Sequence, residues 1–152
     1  MSYKILRQRL ISQCQMVVSQ RITSAEAAIR MAQESANEEG KSSAGDKYET
    51  GRAMAQLEIE KASSQLAEAN KLKQALEKIS IDKSGSIVNP GSLVITNQGS
   101  YFISIAAGKL TVDDETWFAI SAGSPLGASL VGKKEGDVVK MMGKEIVVEK
   151  VV

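Results

Sequence analysis

Apolar residues in the first half of the chain recur at helical spacing. Ile22, Ala25, Ile29, Ala32 and Ala36 follow one another at steps of three and four, and Leu6, Leu10, Cys14 and Val18 carry the stripe upstream at steps of four. A second stripe runs through Ala55, Ile59, Ala62, Leu66 and Ala69, then Leu72, Leu76 and Ile79. This is the spacing of a heptad seam, so each helix seeks one apolar partner along its length. Alanine at many seam positions allows close approach of the two axes. Between the stripes, Gly40 suits a helix C-terminus, and Ser43 with Asp46 resembles a capping box in which Asp replaces Glu. A short link between two seam-bearing helices predicts an antiparallel hairpin. Arms of about 35 residues would reach roughly 50 Å, with polar outward faces, so a projecting rod is expected.

The pattern changes after residue 80. Asn89-Pro90-Gly91 is strong turn chemistry closing the joint 81–91. Leu93–Thr96 and Tyr101–Ile105, separated by Asn97-Gln98-Gly99, read as a hairpin. Thr116–Ile120 is a further strand, and Asp137–Met141 with Glu145–Val151 form a second hairpin around Met142-Gly143. Ser124 as N-cap, Pro125 at the first helical position and Gly132 at the end bracket one short helix. The fold class expected is therefore α+β. A coiled-coil hairpin over 1–80 precedes a small antiparallel sheet domain over 81–152.

Composition agrees with that division. Three of the twelve glycines lie in the first half, which has no proline, while four of the six aromatics lie in the second. With 43% apolar residues the chain is too hydrophobic for disorder. It has no run of about 18 apolar residues and no signal-peptide core, so neither a membrane-spanning helix nor a signal peptide is expected. The single cysteine, Cys14, has no internal disulfide partner, and with no histidine at all, His-dependent triads and His-liganded zinc are excluded. Any chemistry would use carboxylates, lysines, hydroxyls or a partner's active site.

Ser124-Pro125-Leu126-Gly127, followed by Gly132-Lys133-Lys134 and Gly136-Asp137, resembles the C-terminal signature of the GreA/GreB transcript cleavage factors. Gly45-Asp46-Lys47-Tyr48-Glu49 resembles a diverged form of that family's acidic hairpin tip, and the likeness runs in order along nearly the whole chain. The resemblance implies an FKBP-like C-terminal domain that docks on bacterial RNA polymerase through Ser124, Pro125, Leu126, Gly127, Gly132, Lys133 and Lys134. It implies a hairpin entering the secondary channel, where tip carboxylates help hold a Mg²⁺ shared with the polymerase. The polymerase then hydrolyses the 3′ end of a backtracked nascent RNA, a two-metal reaction in a borrowed site. The chain would thus be an accessory factor with no catalytic residue or cofactor of its own, and a monomer, since both seam partners lie in one chain. The sequence departs from the family at the tip. With Tyr48 matched to the family tyrosine, the two acidic positions fall on Lys41 and Ala44.

The carboxylates available near the tip are Asp46, Glu49, Glu38 and Glu39. Asp46 and Glu49, three apart, share a helix face and are the candidate Mg²⁺ ligands within the polymerase complex. Equally, acids at a helix N-terminus complement the macrodipole. Glu38 and Glu39 close the first helix, where acids oppose the dipole, which raises a functional reading for them. Lys4, Arg7, Arg9, Arg21 and Arg30 face one acid, Glu26, within residues 1–30. Such a stretch could steer toward RNA or an acidic surface, or be a solvated helix face. Two alternatives stand beside transcript cleavage. One is a non-cleaving channel binder. The other, of a different class, is a peptidyl-prolyl isomerase. However, Tyr101, Phe102, Trp117 and Phe118, as two adjacent pairs on strands, cannot all face one side of a sheet.

Overall fold

The computed structural model describes residues 2–39, 45–80, 82 and 85–152, with the side chains of 39 and 45–48 outside that description. Helix α1 (Tyr3–Glu39) starts at Ser2, whose hydroxyl accepts from the Ile5 amide at 3.2 Å and whose carbonyl accepts from Leu6 at 3.0 Å. Helix α2 spans Gly45–Glu77. The helix end expected at Gly40 and the Ser43–Asp46 capping box lie outside the described residues. A sheet domain follows with strands β1 (Leu93–Thr96), β2 (Gly99–Ser104), β3 (Gly108–Val112), β4 (Glu115–Ser121), β5 (Val138–Met141) and β6 (Lys144–Val151), and helix α3 (Pro125–Leu130) between β4 and β5. This is the α+β chain the patterning predicts, a long helical hairpin followed by a sheet with one short helix.

Contacts divide the chain elsewhere than composition does. One compact unit comprises Val18–Leu72, and the other joins Met1–Val17 to Lys73–Val152. In the first, Val18, Ala25 and Ala32 on α1 and Ala55, Ala62 and Ala69 on α2 are buried, one per heptad. Ile22, Ile29 and Ala36 on α1 and Ile59 and Leu66 on α2 are half-buried between them. Ala32 and Ala55 line a common groove, so the two helices lie side by side there. The seam therefore alternates a fully buried small residue with a partly covered large one.

The second unit is organised by a six-stranded sheet of order β3-β4-β2-β1-β6-β5. Its pairings are antiparallel except β2 with β4, which is parallel, in register Tyr101 with Phe118 and Phe102 with Ala119. The all-antiparallel expectation is corrected at that pair. It arises because β3 turns back on the outer side of β4, leaving β2 as β4's inner neighbour. Strand β3 is absent from the sequence prediction. As an edge strand it buries only Leu110 and Val112, so its apolar signal is two residues long.

Register assigns each side chain a face. Val94, Ile103, Val139, Ile146 and Val148 form one core with Val88 and Leu130, and Tyr101, Ile120 and Leu126 pack against its margin. The opposite face carries Leu93, Phe102, Leu110, Val112, Trp117 and Ala119, all buried. The first turns of α1 pack against this second face. Leu6, Leu10 and Cys14 are buried, the Cys14 thiol hydrogen-bonds Ser104, and Lys150 lies 4.7 Å from the centre of the Tyr3 ring. Among the described residues, the buried indole Nε1 of Trp117 has no protein acceptor.

Cys14 supplies a direct test of this packing. Burial pushes its thiol above the ordinary value, and the Ser104 bond only partly offsets that. Folding thus favours the protonated thiol, so its contribution to stability falls as pH rises past the unfolded thiol's pKa. A thiol reagent at mildly alkaline pH should label the native protein at least about tenfold more slowly than the urea-unfolded chain. Equal rates, followed by absorbance, would contradict the packing.

Candidate docking surface and hairpin-end carboxylates

Ser124-Pro125-Leu126-Gly127 is first a piece of folding machinery. Ser124 is extended (φ −68°, ψ 158°) and its hydroxyl accepts from the Gly127 amide at 3.0 Å while donating to the Ser121 carbonyl at 2.8 Å. Pro125 occupies the first helical position, as predicted. Gly127 is buried, and a Cβ there would sit 1.9 Å from the Ser121 carbonyl oxygen. After α3, Gly132 takes φ +86° and its amide donates to the Val88 carbonyl at 2.8 Å. Val88 in turn donates to Lys133 at 2.8 Å, and Ile87 bridges Lys134.

The segment splits into an inner and an outer side. Leu126 is half-buried against the core and Gly127 and Leu130 are buried. Pro125, Ala128, Val131 and Gly132 are exposed. Surface helices ordinarily turn charged groups outward, yet residues 124–132 contain none. Val131 is 37% exposed, and Ile87, which bridges Lys134, is 53% exposed. This uncharged patch is bordered by half-buried Lys133 and exposed Lys134. The exposed residues of the segment are Pro125, Ala128, Val131 and Gly132, and exposed Ile87 is joined to Lys134 by the bridge. Ala128 and Val131 are not among the docking residues that the resemblance implies, and neither is Ile87. The i, i+3, i+6 spacing within a charge-free helix was the available signal for the first two.

Of the predicted carboxylates, Glu38 and Glu49 are exposed, Glu38 in the last turn of α1 and Glu49 in the second turn of α2. Residues 40–44 connect those helix ends, so both carboxylates belong to one end of the hairpin unit. Asp46 and Glu39 lie within helices, but their side chains fall outside the described residues. Among the described residues, no three His, Cys, Asp or Glu side chains converge as a metal site.

The basic stretch at the start of α1 is largely consumed by structure. Arg7 is 2% exposed, and its Nε donates to Gly91 O at 2.8 Å and its Nη2 to Val152 O at 2.9 Å. Burial pulls its guanidinium below the ordinary value. Lys4 pairs with Asp82 at 2.8 Å, and Arg9 with Asp113 at 3.0 Å. The Lys4 contact holds Asp82 below the usual carboxylate range. Neither a free cationic face nor a wholly solvated one describes these three residues: Arg7 is interior, and Lys4 and Arg9 are paired with acids.

The aromatics divide as sheet geometry requires. Phe102 and Trp117 are buried on the face covered by α1. Tyr101 and Phe118 sit on the other face, ring centres 6.1 Å apart and tilted by 38°. No single pocket collects all four rings. Among the described residues, no helix is long and apolar enough to cross a membrane.

No family model matches the chain, and no curated protein matches it. A solved chain described as "Structure of the transcription factor Gfh1" is similar at 20% identity, with 88% of this chain and 90% of that chain covered and a TM-score of 0.34.

Proposed function

We propose that this chain is an accessory factor of a bacterial RNA polymerase. Its sheet unit docks on the enzyme through the outer side of α3. Its hairpin presents carboxylates to the polymerase's own active centre and stimulates cleavage of backtracked RNA. The observation carrying the reading is the uncharged outward side of α3, bordered by Lys133 and Lys134. Of its outward residues, Pro125 belongs to the signature that carries the resemblance to transcript cleavage factors, and Ala128 and Val131 lie between that signature's two parts. An apolar centre with a basic border suits a partner surface with acidic groups around an apolar contact. In this reading the factor acts as a monomer in the cytoplasm and has no active site of its own. The Mg²⁺ belongs to the polymerase, and the substrate is the nascent RNA 3′ end.

Asp46, Glu49, Glu38 and Glu39 are the groups able to supply negative charge at the hairpin's connected end. A second reading, a non-cleaving channel binder, is favoured by one observation: the family's acidic tip positions fall on Lys41 and Ala44. A backtracked elongation complex, assembled with polymerase from the same source, separates the two. Cleavage stimulation should appear as shortened RNA on a gel. Asp46→Ala and Glu49→Ala should each slow it about tenfold or more, a barrier change of roughly 1.4 kcal/mol, with polymerase affinity unchanged. Wild-type rates in both would move the chemistry to Glu38 and Glu39. Bound factor with full-length RNA would leave the second reading.

A further inference from the structure

Two hairpins of the sheet use the same tight turn with different residues. Between β3 and β4, Asp113 and Asp114 take φ +49° and +65°. Between β5 and β6, Met142 and Gly143 take φ +50° and +77°. Left-handed backbone at both central positions favours Asn, Asp or Gly. The β3–β4 turn obeys that rule, and so does Gly143. Met142 does not, and its side chain is 94% exposed. It therefore gains nothing from burial while occupying a backbone conformation that an unbranched apolar residue disfavours. A fold-driven choice at this position would be Asn, as the neighbouring hairpin illustrates with Asp.

The surroundings indicate a partner's chemistry. Lys140 and Lys144 flank Met142 at two residues on either side, and both are exposed. Glu145, paired in register with Lys140, is the single nearby acid of the hairpin. Val138, at the other end of β5, is half exposed, and β5 is a sheet edge. The tip thus presents a flexible thioether with Lys144 on one face of the ribbon and Lys140, opposite Glu145, on the other. Methionine adapts well to irregular apolar pockets and is enriched in protein interfaces, where charged groups gather at the rim.

We propose that the β5–β6 tip is a second contact with the polymerase, in which Met142 enters an apolar pocket rimmed by carboxylates that meet Lys140 and Lys144. This rests on the polymerase reading but concerns a surface separate from α3. The residue's disadvantage to the fold is the core of the case, because it makes stability and binding move in opposite directions.

The test compares full-length wild type with Met142→Asn and with the Lys140→Glu/Lys144→Glu pair, measuring thermal midpoint and affinity for core polymerase. Met142→Asn should raise Tm by about 2–4 °C and weaken polymerase binding roughly tenfold. The charge-reversed pair should weaken binding further at low salt than at high salt. Wild-type binding with unchanged affinity in Met142→Asn would overturn this contact and leave the polymerase reading standing. A lowered Tm in that variant would likewise overturn it, since Met142 would then serve the fold. Absence of any wild-type binding would defeat the polymerase reading itself, and this contact with it.

Discussion

Gly127→Ala is expected to cost about 2–4 kcal/mol and to lower the thermal midpoint of the sheet unit by roughly 10 °C. The added methyl carbon would lie 1.9 Å from the Ser121 carbonyl oxygen and 2.9 Å from both the Ser121 carbonyl carbon and the Ser124 hydroxyl. Two of those neighbours are backbone at the end of β4, so no rotamer change relieves the clash. Either α3 moves outward or the strand end bends. Each movement breaks the hydroxyl relay that joins Ser121, Ser124 and the Gly127 amide. The chain's single tryptophan reports on this unit, because Trp117 is buried in its sheet. Urea unfolding followed by Trp117 fluorescence should show the shifted midpoint. Gly132→Ala is the control. There φ is +86° but no atom lies within 4 Å of the added carbon, so only backbone strain of about 1 kcal/mol applies. Equal losses in the two variants would mean that close approach at Gly127 is not what the motif requires.

That contrast also explains what the resemblance to cleavage factors can and cannot carry. A serine that caps, a proline that starts a helix and a glycine that admits a strand carbonyl make Ser-Pro-Leu-Gly a folding requirement. The residues of the segment left exposed are the less distinctive Pro125, Ala128, Val131 and Gly132. A signature can thus be legible while its working surface is not.

The same division runs through the chain. The hairpin seam was readable position by position, because helical periodicity converts directly into burial: Ala25, Ala32, Ala55, Ala62 and Ala69 are all buried. The α3 caps were readable because their chemistry is local. Strand β3 was not, because an edge strand covered on one face shows two inward residues and no run. The parallel pairing of β2 with β4 was not, because it depends on where β3 goes. At the hairpin's connected end, the candidate carboxylates were identified as residue types. Their grouping depends on backbone path, which periodicity does not encode. Met142 was read as a turn residue. Its exposure and left-handed φ, which make it a candidate contact, are properties of the folded hairpin.

Arg7 is the largest departure from patterning, and its removal should have an effect comparable to that at Gly127. In sequence it is one of five cations near the start of the chain. Folded, it is 2% exposed and donates to Gly91 O and Val152 O, partners 84 and 145 residues away. Gly91 closes the turn before β1, and Val152 exchanges two backbone bonds of 2.9 Å with Leu93. One side chain therefore ties the first turns of α1 to both ends of the sheet domain. Burial lowers its pKa through desolvation, so the charge itself opposes folding and the hydrogen bonds must exceed that cost. Bonds from a charged donor contribute about 1.5–3 kcal/mol each, and an orphaned buried acceptor costs about 1–3. Arg7→Leu removes both donors and is expected to destabilise the sheet unit by about 3–5 kcal/mol. Arg7→Lys keeps the charge but replaces the planar fork with a single ammonium, and should fall between Leu and wild type. The guanidinium stays protonated through neutral pH, so the loss should be flat between about pH 5 and 9. Trp117 fluorescence in urea, repeated across that range, measures both quantities. A Leu variant as stable as wild type would show that the first turns of α1 are held by apolar packing alone.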